Sequence, residues 1–110
     1  MKKIEAIIRL SKLDDVLESL HKIGIDGLTL ADVKGTGKQH GVKEVYRGIE
    51  IDVKFLSRIK LEIVLEDTKV DEVINTILKI AHIGKSGDGR IFVYNIEKAF
   101  NITTKSEIKG

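Results

Sequence analysis

Two heptads carry the residues best suited to binding an anion. In Gly35–Gly41 (GTGKQHG) the glycines let backbone N–H groups turn toward a ligand, Lys38 adds charge, and Gln39 offers both a donor and an acceptor. In Gly84–Arg90 (GKSGDGR), Gly87 and Gly89 flank Asp88 in a tight turn, with Lys85 and Arg90 on either side to neutralise phosphate charge. Each has a plainer reading. The first is also a flexible turn by which the chain leaves a strand, and the second a simple helix-to-strand connection. Neither matches a standard nucleotide motif. His40 stands where a dinucleotide fingerprint has its third glycine, and Arg90-Ile91 replaces the Lys-Ser/Thr of a phosphate loop and runs into a strand instead of a helix.

Other chemistry has less support. His21, His40 and His82 fall in separate segments, so a shared metal site is not expected; His82 suits a helix C-terminus and His21 a solvated helix surface. Glu44, Glu50 and Asp52 lie on one long connection without fixed geometry, which favours a solvated loop over an acid–base pair. Cysteine is absent, which excludes disulfides and thiolate metal ligation, and no Ser-His-Asp pattern is visible. A small phosphate-ester or acyl-phosphate hydrolase would rest on the Gly84–Arg90 turn alone, with no nucleophile or base placed by spacing. The expectation is a protein that is not an enzyme.

Periodicity supplies the elements that position the heptads. Lys2–Leu10 alternates, with Ile4, Ala6 and Ile8 on one side and Ile7 on the other, and predicts a strand. Ser11 is the expected N-cap of a helix, Asp14 favours its positive end, Leu13, Val16, Leu17 and Leu20 form its stripe, and Gly24 ends it in a left-handed turn. Leu28–Lys34 reads as the second strand. Arg58–Glu66 alternates, with Ile59, Leu61, Ile63 and Leu65 on one face and Lys60, Glu62 and Val64 on the other. Thr68 is the expected cap of a second helix with the stripe Val70, Val73, Ile74, Ile77, Leu78 and Ala81, with Lys79 and His82 near its negative end and Gly84 as its stop. Arg90–Ile96 makes the last strand, and Glu97–Gly110 is a polar tail with no structural prediction.

The order βαβ, long loop, βαβ predicts an α+β, ferredoxin-like βαββαβ sandwich: a four-stranded antiparallel sheet with both helices on one face. The other face, carrying Ile7, Val64 and part of the last strand, is expected to be apolar and covered by identical subunits. RNA-recognition domains share this plan but stack bases on aromatics of the central strands, and RIKLEIVLE has none.

The 110 residues suit one domain. Its 19 basic and 17 acidic residues nearly cancel, so nucleic acid is not an expected partner. No run approaches the ~18–20 apolar residues that cross a bilayer. The opening MKKIEAIIRLSKLDD is interrupted by Glu5 and Arg9, with no small-residue cleavage site following. A soluble cytoplasmic protein without direct membrane insertion is expected. Gly35–Phe55 far exceeds the usual connection of about 4–6 residues, which marks it as functional.

Over roughly its first hundred residues the chain resembles the PII nitrogen-regulatory signal proteins, through KKIEAIIR, KGTGKQHG, EVYRG and GDGRIFV in that family's order and spacing. The resemblance implies a single domain over 1–110 that forms a homotrimer, with a nucleotide in each cleft between subunits. It also implies a long flexible T-loop, about 36–55, that touches regulatory targets, and a C-terminal tail, about 98–110. Gly35, Gly37, Lys38 and Gln39 would line one side of the cleft, and Gly87, Asp88, Gly89 and Arg90 would form the phosphate-binding turn on the other. Gln39 would also help hold Mg-ATP and 2-oxoglutarate, and Arg58 takes the place of a lysine that pairs with that oxoacid. Tyr46, Arg47 and Gly48 match the T-loop tip, whose arginine enters the pore mouth in members that control ammonium transporters.

Some positions depart from the family. Ile51 replaces the tyrosine that many members carry as a uridylylation site, Ile83 replaces a threonine of the phosphate turn, and Asn101 and Thr103 replace two arginines that contact ATP phosphates. A charge-assisted hydrogen bond is worth ~1.5–3 kcal/mol, so each lost arginine implies roughly ten- to a hundredfold in affinity. The expected function is a signal transducer in which ATP or ADP biases the T-loop and so controls an ammonium transporter or a nitrogen-assimilation enzyme. The alternative is an adaptor of the same fold, with lost or altered ligand specificity, that acts through protein contact alone.

Overall fold

A computed structural model describes residues 1–36, 43–46, 49–52 and 55–109, the two short middle stretches by their backbone only. The alternation of Lys2–Ile8 is realised as strand β1, with Ile4, Ala6 and Ile8 buried. Phe55–Leu65 forms β5 with Ile59, Leu61, Ile63 and Leu65 buried, and it pairs antiparallel with β1 so that Ile4 faces Ile63, Ala6 faces Leu61 and Ile8 faces Ile59. These rows meet Val16 and Leu20 of α1 (Leu13–Lys22) and Val70, Val73, Ile77 and Ala81 of α2 (Val70–Ala81), which close one core over one face of the sheet. With β2 (Thr29–Thr36) and β6 (Gly89–Asn95) at the edges, the strand order is β2-β5-β1-β6 and every pairing is antiparallel. This is the ferredoxin-like arrangement expected from the repeated βαβ pattern.

The helix starts differ from expectation. Ser11 and Thr68 lie inside short 3-10 turns, Leu10–Lys12 and Asp67–Lys69, and neither helix has a side-chain cap hydrogen bond. The tight turns close the chain with backbone bonds instead, Lys12 N–H to Arg9 O and Lys69 N–H to Glu66 O, both at 3.0 Å. At the other end of α1 the expected left-handed glycine is present. Gly24 has φ +88°, and Ile25 N–H donates back to Leu20 O at 2.9 Å while Gly24 N–H donates to His21 O. For α2 the stop is not Gly84. The helix ends at Ala81, His82 is already extended, and the left-handed φ of Gly84 belongs to the following turn.

The long connection is partly strand. Pairing of β2 with β5 continues through Gly35 opposite Leu56 and Thr36 opposite Phe55, and within the connection β3 (Lys43–Tyr46) pairs antiparallel with β4 (Ile49–Asp52). The tail is also ordered into a hairpin, β7 (Phe100–Asn101) with β8 (Ser106–Glu107). Asn101 Oδ1 accepts from Thr103 N–H at 2.9 Å and Thr104 N–H at 3.3 Å, and Lys105 takes the left-handed conformation that completes the turn.

The face away from the helices is mixed and not the apolar surface expected. Beside Ile7, Val64 and Phe92 it carries Lys3, Glu5, Lys60, Glu62 and Tyr94, which the register brings side by side. They form ion pairs from Lys60 to Glu62 at 3.3 Å and to Glu5 at 3.8 Å, and from Lys3 to Glu62 at 3.7 Å, and Tyr94 donates its hydroxyl to Glu5 at 2.6 Å. Among the described residues, no helix is long and apolar enough to cross a membrane.

Leu78 was expected in the buried stripe of α2, but it is 53% exposed because its position rotates off the sheet-facing side, whereas Leu61 is 0% exposed. Leu61→Ala is therefore expected to cost about 2–5 kcal/mol of stability and Leu78→Ala less than about 1 kcal/mol. Chemical denaturation of the two variants checks the contrast, and equal losses would contradict it.

Candidate functional site

The sheet register and the α2–β6 connection bring the two candidate segments together. Gly35 and Thr36 end β2, Arg58 and Leu56 lie beside them on β5, and Lys85–Arg90 curls up to the start of β6; together with Ile7 and Phe92 they line an open cleft of about 680 Å³. That volume lies within the usual range for small-molecule sites, roughly 300–1,000 Å³. Of the residues expected to bind nucleotide, Gly35, Gly87, Asp88, Gly89 and Arg90 share this cleft, and Arg58, expected to meet an oxoacid, faces the same space. Gly37, Lys38, Gln39, Arg47 and Gly48 lie outside the described residues. Tyr46 ends β3 and Ile51 lies in β4, both described by backbone alone.

The turn has a clear internal logic. Asp88 Oδ2 accepts the backbone N–H groups of Ile83 at 3.0 Å and Gly84 at 2.9 Å, while Oδ1 accepts from Arg9 Nε at 3.4 Å. His82 Nδ1 stands 3.7 Å from the same Oδ2. These donors hold the Asp88 carboxyl below its ordinary pKa, first through Ile83 N–H, with burial opposing and Gly84 N–H and Arg9 assisting. The carboxylate of Asp88 is thus spent on shaping the turn. Besides Asp88, the charged residues that line the cleft are cationic: Lys85, Arg90 and Arg58, the last also bonded to the turn through Gly87 O. The lining fits an anionic group such as a phosphate.

Two arginines clamp the turn from the sheet side. Arg58 Nη2 donates to Gly87 O at 3.1 Å and its Nη1 to Ser57 O at 2.8 Å; Arg9 Nη2 donates to Ser86 O at 3.0 Å. The crowding explains Gly87, where a Cβ would come 3.1 Å from Arg58 Nη2 on a backbone at φ +92°. Gly89 is more constrained still, since at φ +119° its Cβ would stand 1.8 Å from the Ile7 carbonyl oxygen. Sequence reading missed Arg9 as a part of this turn. It lies 79 residues from Asp88, and no local spacing signals the contact. Asn101 and Thr103 belong to the C-terminal hairpin and are not among the described residues lining the cleft.

Gly89→Ala is expected to cost more than about 2 kcal/mol, because both the positive φ and a backbone clash oppose it. Gly87→Ala meets the ends of two side chains, not backbone, at 3.1 and 3.4 Å and is expected to cost about 1–2 kcal/mol. Thermal unfolding of both ranks them, and a harmless Gly89→Ala would contradict the close approach. The depressed Asp88 carboxyl contributes stability that is complete above the ordinary aspartate range and is lost as pH falls through its lowered value. Asp88→Asn should therefore flatten part of the acid limb of the stability–pH curve and leave the part due to Asp67, which the N-terminal amine lowers in the same way. An acid limb unchanged in Asp88→Asn would count against these contacts.

Residues 1–106 match the family model "Nitrogen regulatory protein P-II". The chain is 53% identical over 107 residues to "Nitrogen regulatory protein P-II" of Haemophilus influenzae, covering 97% of this chain and 96% of that protein. It is 52% identical over 104 residues to the protein of that name from Rhodospirillum rubrum, covering 94% and 93%. With "Nitrogen regulatory protein P-II 1" of Escherichia coli K12 it is 50% identical over 107 residues, covering 97% and 96%. The chain therefore belongs to the nitrogen regulatory protein P-II family, a family of signal transducers and not of enzymes.

Proposed function

We propose that this nitrogen-regulatory protein works as a cytoplasmic homotrimer that binds ATP or ADP in its clefts and reports the bound state through the T-loop, about 36–55, to a protein target. The target class is an ammonium transporter or a nitrogen-assimilation enzyme. One observation carries the reading: a cationic cleft in which Gly35 and Thr36, at the foot of the T-loop, share a wall with a glycine turn whose only carboxylate is already hydrogen-bonded. A ligand held there touches the turn and the loop base at once. It shifts the loop by as much as it binds one loop arrangement better than another. In this reading Gly35, Gly37, Lys38 and Gln39 meet the nucleotide from the loop side, and Gly87, Gly89 and Arg90 meet its phosphates. Gln39 serves Mg and 2-oxoglutarate, and Tyr46, Arg47 and Gly48 meet the target. An oxoacid that pairs with Arg58 can use the guanidinium N–H groups left over from the bonds to Gly87 O and Ser57 O.

A second reading, an adaptor that acts through protein contact with lost or altered ligand specificity, is favoured by Asn101. Its side chain is committed to the backbone of its own turn, at a position where the resemblance implies an arginine on phosphate. Isothermal calorimetry with ATP, ADP and AMP, each with and without magnesium and 2-oxoglutarate, separates the two. Saturable heat with an adenine nucleotide is the expected result. No heat with any of them would remove the first reading and leave the second.

A further inference from the structure

Arg9 follows β1 directly and precedes the 3-10 turn that leads into α1. Its side chain is only 22% exposed, and its planar head makes two bonds into one segment far along the chain: Nη2 donates to Ser86 O at 3.0 Å and Nε to Asp88 Oδ1 at 3.4 Å. The other oxygen of Asp88 accepts Ile83 N–H and Gly84 N–H. A continuous polar path therefore runs from the β1–α1 junction through one carboxylate to the first residues of the turn. Arg9 is also not among the described residues lining the cleft, whereas Arg58, Lys85 and Arg90 are.

We propose that Arg9 is a positioning residue for the anion-binding turn: by bridging Ser86 O and Asp88 it straps residues 83–88 to the end of β1 and fixes the turn's shape before any ligand arrives. A guanidinium suits this task because its donors are fixed in one plane and serve a carbonyl and a carboxylate together, which a single ammonium point charge cannot do in the same geometry. The strap also accounts for the tolerance of a second guanidinium nearby. A Cβ on Gly87 would lie within 3.4 Å of both Arg9 Nη2 and Arg58 Nη2, so two cations converge there, and the Asp88 carboxylate with the carbonyls of Ser86 and Gly87 offsets their repulsion. The consequence for affinity rests on the nucleotide reading above; the strap itself does not.

The test is amide hydrogen exchange by NMR on the full chain without ligand, for wild type, Arg9→Gln, Arg9→Lys, Asp88→Asn and the double variant Arg9→Gln/Asp88→Asn. In Arg9→Gln, exchange at Ile83 and Gly84 is expected to accelerate on the order of tenfold, while the β1–β5 amides of Ile4 and Ala6 keep their protection and show that the fold is intact. Arg9→Lys should rescue little of it, and the double variant should exchange no faster than Asp88→Asn alone, since both changes break one path. Unchanged exchange in Arg9→Gln, full rescue by lysine, or additive effects in the double variant would overturn the strap. Because no nucleotide is present, any of these results bears on Arg9 alone and leaves the nucleotide reading to calorimetry.

Discussion

The contact on which the site most depends is the approach of Gly89 to Ile7. β6 pairs with β1 right up to its first residue, Gly89 opposite Ile8, and the backbone there passes so close to Ile7 O that no side chain fits. A strand that can pair to its very end leaves no slack between the sheet and the turn before it. Residues 84–88 must therefore curl beside Arg58 and the end of β2 instead of extending into solvent. Two short glycine segments far apart in sequence become the walls of one cleft for this reason, and the hydrophobic rows of β1 and β5 supply the rigidity that holds them there.

Electrostatics then decides what the cleft can hold. An acidic residue in the middle of a phosphate-type turn looks unfavourable for binding an anion, since a bare carboxylate would repel it. Here the carboxylate of Asp88 faces inward to two backbone N–H groups and Arg9, so its charge is balanced within the turn. Asp88 thus belongs to the scaffold of the turn, its charge offset by Arg9, and Arg58, Lys85 and Arg90 leave the lining of the cleft with an excess of positive charge.

The sequence made the scaffold legible where one local rule had no competitor. Strict alternation in Lys2–Ile8 and Ile59–Leu65, the helical spacing of Val16, Leu20, Val73 and Ile77, and Gly24 as a left-handed terminus all stand in the structure. It misled where several local solutions satisfy the same need. Ser11 and Thr68 are good caps, but a 3-10 turn uses backbone donors to the same end, and nothing in the residue types distinguishes the two. For the site, glycine spacing located both walls of the cleft but could not show which side chains serve the turn itself. Arg9 and Asp88 meet across 79 residues, a contact that only the assembled sheet creates.

The face opposite the helices carries two opposed signals about assembly. Ile7, Val64 and Phe92 argue for a buried surface, while Lys3, Glu5, Lys60 and Glu62 on the same rows argue for a wet one. The conflict is reduced because the charges are already paired within one chain, Lys60 with Glu5 and Glu62 and Lys3 with Glu62, and Tyr94 adds a hydrogen bond to Glu5 and its ring to Lys3. Burying an ion whose partner is in place costs much less than burying it alone. Such a face can enter an interface between identical subunits without each copy first finding a counter-charge on its neighbour. The pairing also disfavours an unrelated apolar partner, which would desolvate the network and return no polar contacts.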